Sequence, residues 1–202
     1  MTSLLVNHIL QTEKWTSPEL FETKNRIYTF LNPVSYLIAL ENKSLFEQFD
    51  GIFADGSLLV SAIRLVYGKR VTRRSFDMTS LAPELLNYLM ESRKTLYIVA
   101  SGQEQVECSV RIFQEQYPEL RIAGFRNGYF SSDAEMNKEA SHIVELNPDF
   151  LIVGMGALMQ EKFLLKVKKM GYMDEYKFWL ESDCFDEKAS ALRVVALFTK
   201  RQ

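Results

Sequence analysis

Hydrophobic positions along the chain fall in short unbroken runs, separated by stretches in which they recur every three or four residues. RIYTFL (26–31) reads as a buried strand. Asn32-Pro33 behind it reads as a helix start, because asparagine accepts from free N–H groups at an N-cap and proline suits the first turn. The helix covers PVSYLIALENKSLFEQF (33–49), with a break expected near Asn42. GIFA (51–54) is a second strand, and the spacing of Leu58, Leu59, Ala62, Ile63 and Val66 predicts a helix over 57–67. A basic loop, KRVTRRSFD (69–77), leads to a helix from about Met78 to Ser92. TLYIVA (95–100) is strand, QEQVECSVRIFQEQY (103–117) helix and LRIAGF (120–125) strand. Ser132 and Glu135 form a capping box that opens a helix over 133–146. DFLIVG (149–154) is strand and MGALMQEKFLLKVKKM (155–170) turns into helix. KFWLES (177–182) and EKASALRVVALFTKRQ (187–202) read as a last strand and a last helix.

Strands that are continuously apolar, alternating with helices, mark a mostly parallel sheet covered on both faces. The fold class is α/β, three-layered and Rossmann-like. No repeat, linker or low-complexity segment divides the 202 residues, so one domain over 1–202 is expected. Apolar residues make up 47% and charged residues 25%, an ordinary globular composition. A net charge of −2 gives no general electrostatic reason to bind nucleic acid. Cys108 and Cys184 have no CxxC spacing, and His8 and His142 have no HExxH pattern. A zinc site or a disulfide framework is therefore not expected. The start MTSLLVNHILQTEKW lacks a basic leader region, and no run approaches the roughly 20 apolar residues of a membrane span. The expected location is cytoplasmic, either soluble or peripheral at the inner face of the membrane.

Open α/β sheets bind ligands at the carboxyl ends of their strands. Those ends are Thr29 to Asn32, Asp55-Gly56, Ser101-Gly102, Arg126 to Tyr129, and Gly154-Met155-Gly156 with Gln160 and Glu161 one turn on. Glycines there let backbone N–H groups approach a phosphate, and a helix N-terminus favours an anion. Neither ASGQ nor GMGALMQ matches a GxGxxG fingerprint or a Walker loop, which leaves a nicotinamide or ATP site poorly supported. Two readings of Asp55 stand at this point, a cap for the following helix or a functional carboxylate. The four cations of KRVTRR likewise read either as a solvated turn or as a diphosphate clamp, with Asp77 placed to orient an arginine.

The ordered series TFLNP, FADG, RRSFD, a strand ending in a small-residue turn, a strand ending NGYF, and VGMGALMQEKF resembles the WecG/TagA/CpsF glycosyltransferases over about residues 26–170. The resemblance implies a bacterial enzyme of surface-polysaccharide or cell-wall polymer synthesis. It would transfer an N-acetylmannosamine-like sugar from a UDP-sugar to a polyprenyl-diphosphate-linked sugar, inverting the anomeric centre without a metal or other cofactor. It places the family's general base on Asp55 and pocket-lining residues on Thr29 and Asn32. Its arginine element falls on Arg73 with Asp77 as the acid, and its glutamine on Gln160, with Leu158 where proline is common. Gly102, Gly154 and Gly156 join these as substrate-binding positions at the strand ends. A peripheral membrane contact and a homo-oligomer are both compatible with the family.

The likeness frays over about residues 176–202. Ser182, Asp183 and Cys184 stand where the family carries a glycine-rich segment against the nucleotide. Two function classes follow, an active transferase with an altered donor pocket or a catalytically impaired relative serving as a binding or regulatory subunit of polysaccharide synthesis. A nucleotide-dependent oxidoreductase is a third reading, against which stands the lack of a GxGxxG.

Overall fold

The computed structural model describes residues 4–23, 26–170 and 179–180. Two helices precede the first strand, where hydrophobic periodicity assigns no element. In α1 (Leu4–Thr12), Leu5, Val6 and Ile9 are buried. The short α2 (Ser17–Glu22) opens where the Thr16 N–H donates to the Glu19 carboxylate at 2.7 Å.

Strand β1 (Tyr28–Leu31) pairs in parallel with β2 (Gly51–Ala54). Between them lie α3 (Pro33–Glu41) and α4 (Lys43–Phe46), with the expected break at Asn42. After α5 (Ser57–Tyr67) comes the basic loop, and α6 (Leu81–Glu91) starts three residues later than its pattern suggests. The delay has a cause: the Asp77 carboxylate accepts from the Thr79 N–H at 2.7 Å and holds residues 77–80 in a turn.

Strand β3 (Thr95–Ala100) lies between β4 (Arg121–Arg126) and β5 (Phe150–Gly154), all parallel. Helices α7 (Gln103–Gln116) and α8 (Asp133–Leu146) flank β4 in sequence, and α9 (Met159–Lys169) follows β5. The two-residue β6 (Trp179–Leu180) pairs with β5 and lies beside β1. Two parallel sheets thus meet edge to edge, in the spatial order β4-β3-β5-β6-β1-β2. The chain runs outward from β1 to β2, then jumps back to β3 and runs outward the other way to β4. The reversal makes the carboxyl ends of the central strands the natural ligand crevice.

Side chains alternate across the strands and build three apolar clusters. Tyr28, Phe30, Phe53, Leu96, Ile98, Phe150 and Ile152 face one way into a single core shared by both sheets. On the other face, Tyr97, Val99, Leu151 and Val153 pack under α8 and α9, while Leu31, Ile52 and Ala54 pack under α1, α3 and α5. Helices on both faces of parallel strands bear out the three-layer, Rossmann-like expectation.

Three sequence expectations are corrected. β4 is not continuously apolar: its residues alternate between exposed and half-buried, because it is an edge strand. The capping box at α8 is half made. Ser132 accepts from the Glu135 N–H at 3.2 Å, but the Glu135 carboxylate reaches the Ser131 N–H instead. Helix α9 begins at Met159 rather than 155, since residues 155–158 form a loop. The expected last helix and most of the expected last strand lie outside the described residues, as do Ser182 to Cys184. No helix among the described residues is long and apolar enough to cross a membrane.

Candidate functional site

Asp55 stands one residue past β2, and its N–H donates to the Leu31 carbonyl at 2.9 Å, extending the β1–β2 ladder. Gly56 then turns the chain with φ 81°, a left-handed conformation that glycine adopts without strain. The cap residue of α5 is Gly56 itself, with no side-chain cap. The capping reading of Asp55 therefore fails on geometry. Its carboxylate instead faces the basic loop, with Oδ1 3.5 Å from Arg73 Nε.

Arg73 bridges two aspartates, its Nη2 lying 2.8 Å from Asp77 Oδ2. Asp77 is held in turn by the Ser75 hydroxyl at 2.7 Å and by the Thr79 hydroxyl at 2.5 Å. Burial works to raise the Asp77 pKa, but the hydrogen bonds from Thr79 and Ser75, together with Arg73, outweigh it and hold the carboxyl below its usual value. Arg73 is thus fixed at both ends, and Nη1 is the face of its guanidinium with no bond among the described residues. Arg74 is structural: its N–H donates to Ala54 O, its Nη1 donates to Trp15 O at 2.6 Å, and its guanidinium covers the Phe53 ring. The basic run therefore divides. Arg73 and Arg74 are anchored, whereas Lys69 and Arg70 are exposed.

Beside Arg73, one buried atom lacks a hydrogen bond. Asp55 Oδ1 is buried, and its contact with Arg73 Nε is an ion pair without hydrogen-bond geometry. Buried carboxylate oxygens normally accept at least one hydrogen bond.

Thr29 and Gln160, far apart in sequence, meet through Glu161. The Thr29 hydroxyl donates to Glu161 Oε1 at 3.0 Å, and Gln160 Nε2 lies 3.4 Å from the same oxygen. Glu161 Oε2 accepts from the Leu158 N–H at 2.6 Å. All three side chains are fully buried. Burial pushes the Glu161 carboxyl up from its usual value, against hydrogen bonds that pull it down. Glu161 thus ties β1 to α9 across the crevice. Sequence reasoning marked its place in the first helical turn but assigned it no role. Gln160 also accepts from the Met155 N–H at 3.3 Å, so its polar groups shape the loop. Asn32 spends its Oδ1 on the N–H groups of Val34 and Ser35, both at 2.9 Å, and caps α3 as expected.

On the β3–β5 side the strand ends carry backbone rather than charge. The Ser101 N–H donates to Gly154 O at 2.9 Å, and Gly128 N–H donates to Ser101 O at 2.8 Å. Ser101 holds φ 51°, and its buried hydroxyl has no partner among the described residues. Gly102 begins α7 without a side-chain cap, leaving the N-terminal N–H groups of a 14-residue helix without a side-chain partner. The loop after Gly154 turns at Gly156, φ 83°, and again at Leu158, φ 74°. Proline could not adopt that last angle. Here Glu161 already uses the Leu158 N–H, so α9 has a side-chain partner at its start, where Gly102 gives α7 no cap.

The structure therefore joins Asp55, Arg73 and Asp77 in one contact chain, Thr29 and Gln160 in a second, and Gly102 and Gly154 beside Ser101 in a third. A cavity of about 490 Å³ lies elsewhere, beside β4 and α8, lined by Arg126, Glu139 and His142. His8 bonds the Asp50 carbonyl and His142 packs edge-on against Tyr97, both structural uses.

The model of the family described as "Glycosyl transferase WecG/TagA/CpsF family" matches residues 9–173. The chain is 29% identical over 163 residues to a UDP-Gal:alpha-D-GlcNAc-diphosphoundecaprenol beta-1,4-galactosyltransferase of Shigella boydii, covering 81% of this chain and 64% of that one. It is 25% identical over 142 residues to an N-acetylglucosaminyldiphosphoundecaprenol N-acetyl-beta-D-mannosaminyltransferase of Bacillus subtilis, covering 68% and 53%. A Staphylococcus aureus protein of the same description is 25% identical over 146 residues, covering 71% and 56%. The chain thus spans between 53% and 64% of the length of these relatives.

Proposed function

The chain belongs to the glycosyl transferase WecG/TagA/CpsF family, and from that premise we propose that it moves a sugar from a UDP-sugar to a polyprenyl-diphosphate-linked sugar, with Asp55 as general base. The observation that carries this reading is the Asp55 carboxylate at the carboxyl end of β2, which caps no helix and faces Arg73 instead. In the reaction, the acceptor hydroxyl donates to this carboxylate as its oxygen attacks the anomeric carbon of the donor. A C–O bond forms on one face of the sugar, and the bond to the β-phosphate breaks on the other. The proton passes to Asp55 and the electron pair leaves with UDP, so the anomeric centre inverts.

The departing diphosphate needs positive charge or N–H donors. Arg73 Nη1 supplies the first. The uncapped start of α7 at Gly102, with the unpartnered Ser101 hydroxyl beside it, suits the second. We take the reaction to need no metal, so a chelator should leave turnover unchanged. Asp77 serves as a positioning residue, since it holds the guanidinium that faces Asp55.

The relatives' names divide between galactose and N-acetylmannosamine, so the test uses both sugars. The chain is incubated with radiolabelled UDP-galactose, UDP-N-acetylmannosamine or UDP-N-acetylglucosamine and a polyprenyl-diphosphate-N-acetylglucosamine acceptor, with and without EDTA. Label entering the lipid fraction from one donor supports the proposal. No transfer from any donor, with UDP still bound, would instead favour a binding subunit.

A further inference from the structure

Leu158 holds φ 74° and ψ −41° at the start of α9, a conformation that a side chain with a Cβ opposes. Such a turn persists only where its surroundings hold it. Here the hold is Glu161, whose Oε2 accepts from the Leu158 N–H at 2.6 Å. The same carboxyl reaches the other way, to the Thr29 hydroxyl of β1 at 3.0 Å. Glu161 is fully buried, with no ion pair among the described residues, so hydrogen bonds alone offset the cost of burying it. Two elements each need an acceptor at this point, and a carboxylate offers two acceptor oxygens where an amide offers one.

The loop that this carboxyl fixes lies against the other strand ends. Gln160 Oε1 accepts from the Met155 N–H at 3.3 Å. The Met155 side chain fills the space beside Gly128, where an added Cβ would lie 2.9 Å from its Cγ. Gly154 O accepts from the Ser101 N–H at 2.9 Å, and the Gly128 N–H donates to Ser101 O at 2.8 Å. Asn127 Nδ2 donates to Gln103 Oε1 at 3.0 Å, on the first residue of α7. An unbroken series of contacts thus leads from Thr29, through Glu161 and Gln160, to the start of α7. We propose that Glu161 is a positioning residue of the donor site. It holds Leu158 in its left-handed turn and so sets the loop 154–158 against the start of α7. Thr29 and Gln160, fully buried, serve this hold through their bonds to Glu161. The donor part of the inference rests on the transferase reading, which puts the diphosphate beside α7. The hold on the loop does not.

The test makes two measurements on the full chain, amide hydrogen exchange over residues 101–105 and 154–158 and UDP affinity by calorimetry. Glu161→Ala should speed exchange in both segments and weaken UDP binding by about tenfold, the scale on which small displacements of binding groups are felt. Glu161→Gln keeps an acceptor for the Leu158 N–H, and its amide can donate to the Thr29 oxygen. Its UDP affinity should therefore lie within about threefold of wild type. Glycine adopts φ 74° without strain, so adding Leu158→Gly to Glu161→Ala should recover most of the lost affinity. A fold that was merely weakened would not be rescued in this way. If Glu161→Ala does not fold, Glu161→Asp serves instead. It keeps the charge but is one methylene too short to span Thr29 and Leu158, and should show both changes in weaker form. Exchange left unchanged in these variants would overturn the proposal. So would faster loop exchange with UDP affinity intact, or an affinity loss that Leu158→Gly does not relieve. A wild type that binds no UDP would sink the transferase reading instead, and loop exchange would still decide whether Glu161 holds the turn.

Discussion

The two sides of the crevice are built from different materials. Beyond β1 and β2 stand charged side chains locked to one another, in the order Asp55, Arg73, Asp77. Beyond β3 and β5 stand glycines, turned backbone and an uncapped helix start. Side-chain carboxylates move protons, while backbone N–H groups hold anions without moving anything. On the proposed reading this difference divides the labour, with acceptor activation on the β1–β2 side and the diphosphate held between Arg73 and the backbone N–H groups of the β3–β5 side. Glu161 is the link between them, bonded at once to Thr29 of β1 and to the loop after β5.

Changes on the two sides should therefore fail in different ways. The largest effect is expected from Asp55→Asn, a fall in kcat of about 10²–10⁴-fold, the usual worth of a general base. Because Asp55 caps nothing and its buried Oδ1 accepts no hydrogen bond, thermal melts of this variant should shift only by the loss of one partly exposed ion pair with Arg73. Asp77→Asn should come next. It breaks the contact that steadies Arg73 and should lower stability by about 1–3 kcal/mol, as for a disturbed buried hydrogen-bonded group. The folded pKa of Asp77 is depressed, so its stabilisation is present above the unfolded value of about 3.9 and is lost as pH falls through the folded value. Urea titrations should thus show the gap between wild type and variant closing in acid.

Gly156→Ala probes the opposite side. No atom lies within 4 Å of the added methyl, so its cost is the backbone strain of φ 83°, about 1–2 kcal/mol. UDP affinity should fall severalfold by calorimetry while saturated turnover changes less. The smallest effect is expected from Glu161→Gln. Its folded pKa is raised, so the stability it lends is complete below the unfolded value of about 4.3 and is lost as pH rises through the folded value. Glutamine does not titrate. The melting temperature of the variant relative to wild type should therefore climb between acid and neutral pH.

Much of this was legible from local signals. Continuous apolar strands announced a parallel sheet, Asn32-Pro33 announced the start of α3, and Asn42 its break, because caps and periods are written in neighbouring residues. What tertiary contact decides was not legible. The helices α1 and α2 gain their places by packing, and their few apolar residues show no long period. Arg73 and Arg74 look alike in KRVTRR, yet one faces two carboxylates and the other a carbonyl and a phenyl ring. Glu161 stands where a helix often carries a solvated acid, and only the fold brings Thr29 to it from 132 residues away. Asp55-Gly56 invited the capping reading because asparagine-like residues favour helix starts. The glycine, not the aspartate, occupies that position.

The division of labour is tested most directly by measuring UDP affinity and turnover on the same preparation of Asp55→Asn. The expected result is a dissociation constant for UDP within about twofold of wild type beside a kcat lower by about 10²–10⁴-fold. If UDP affinity falls by as large a factor as turnover, Asp55 belongs to the donor site. If turnover stays within a few fold of wild type, Asp55 is not the base.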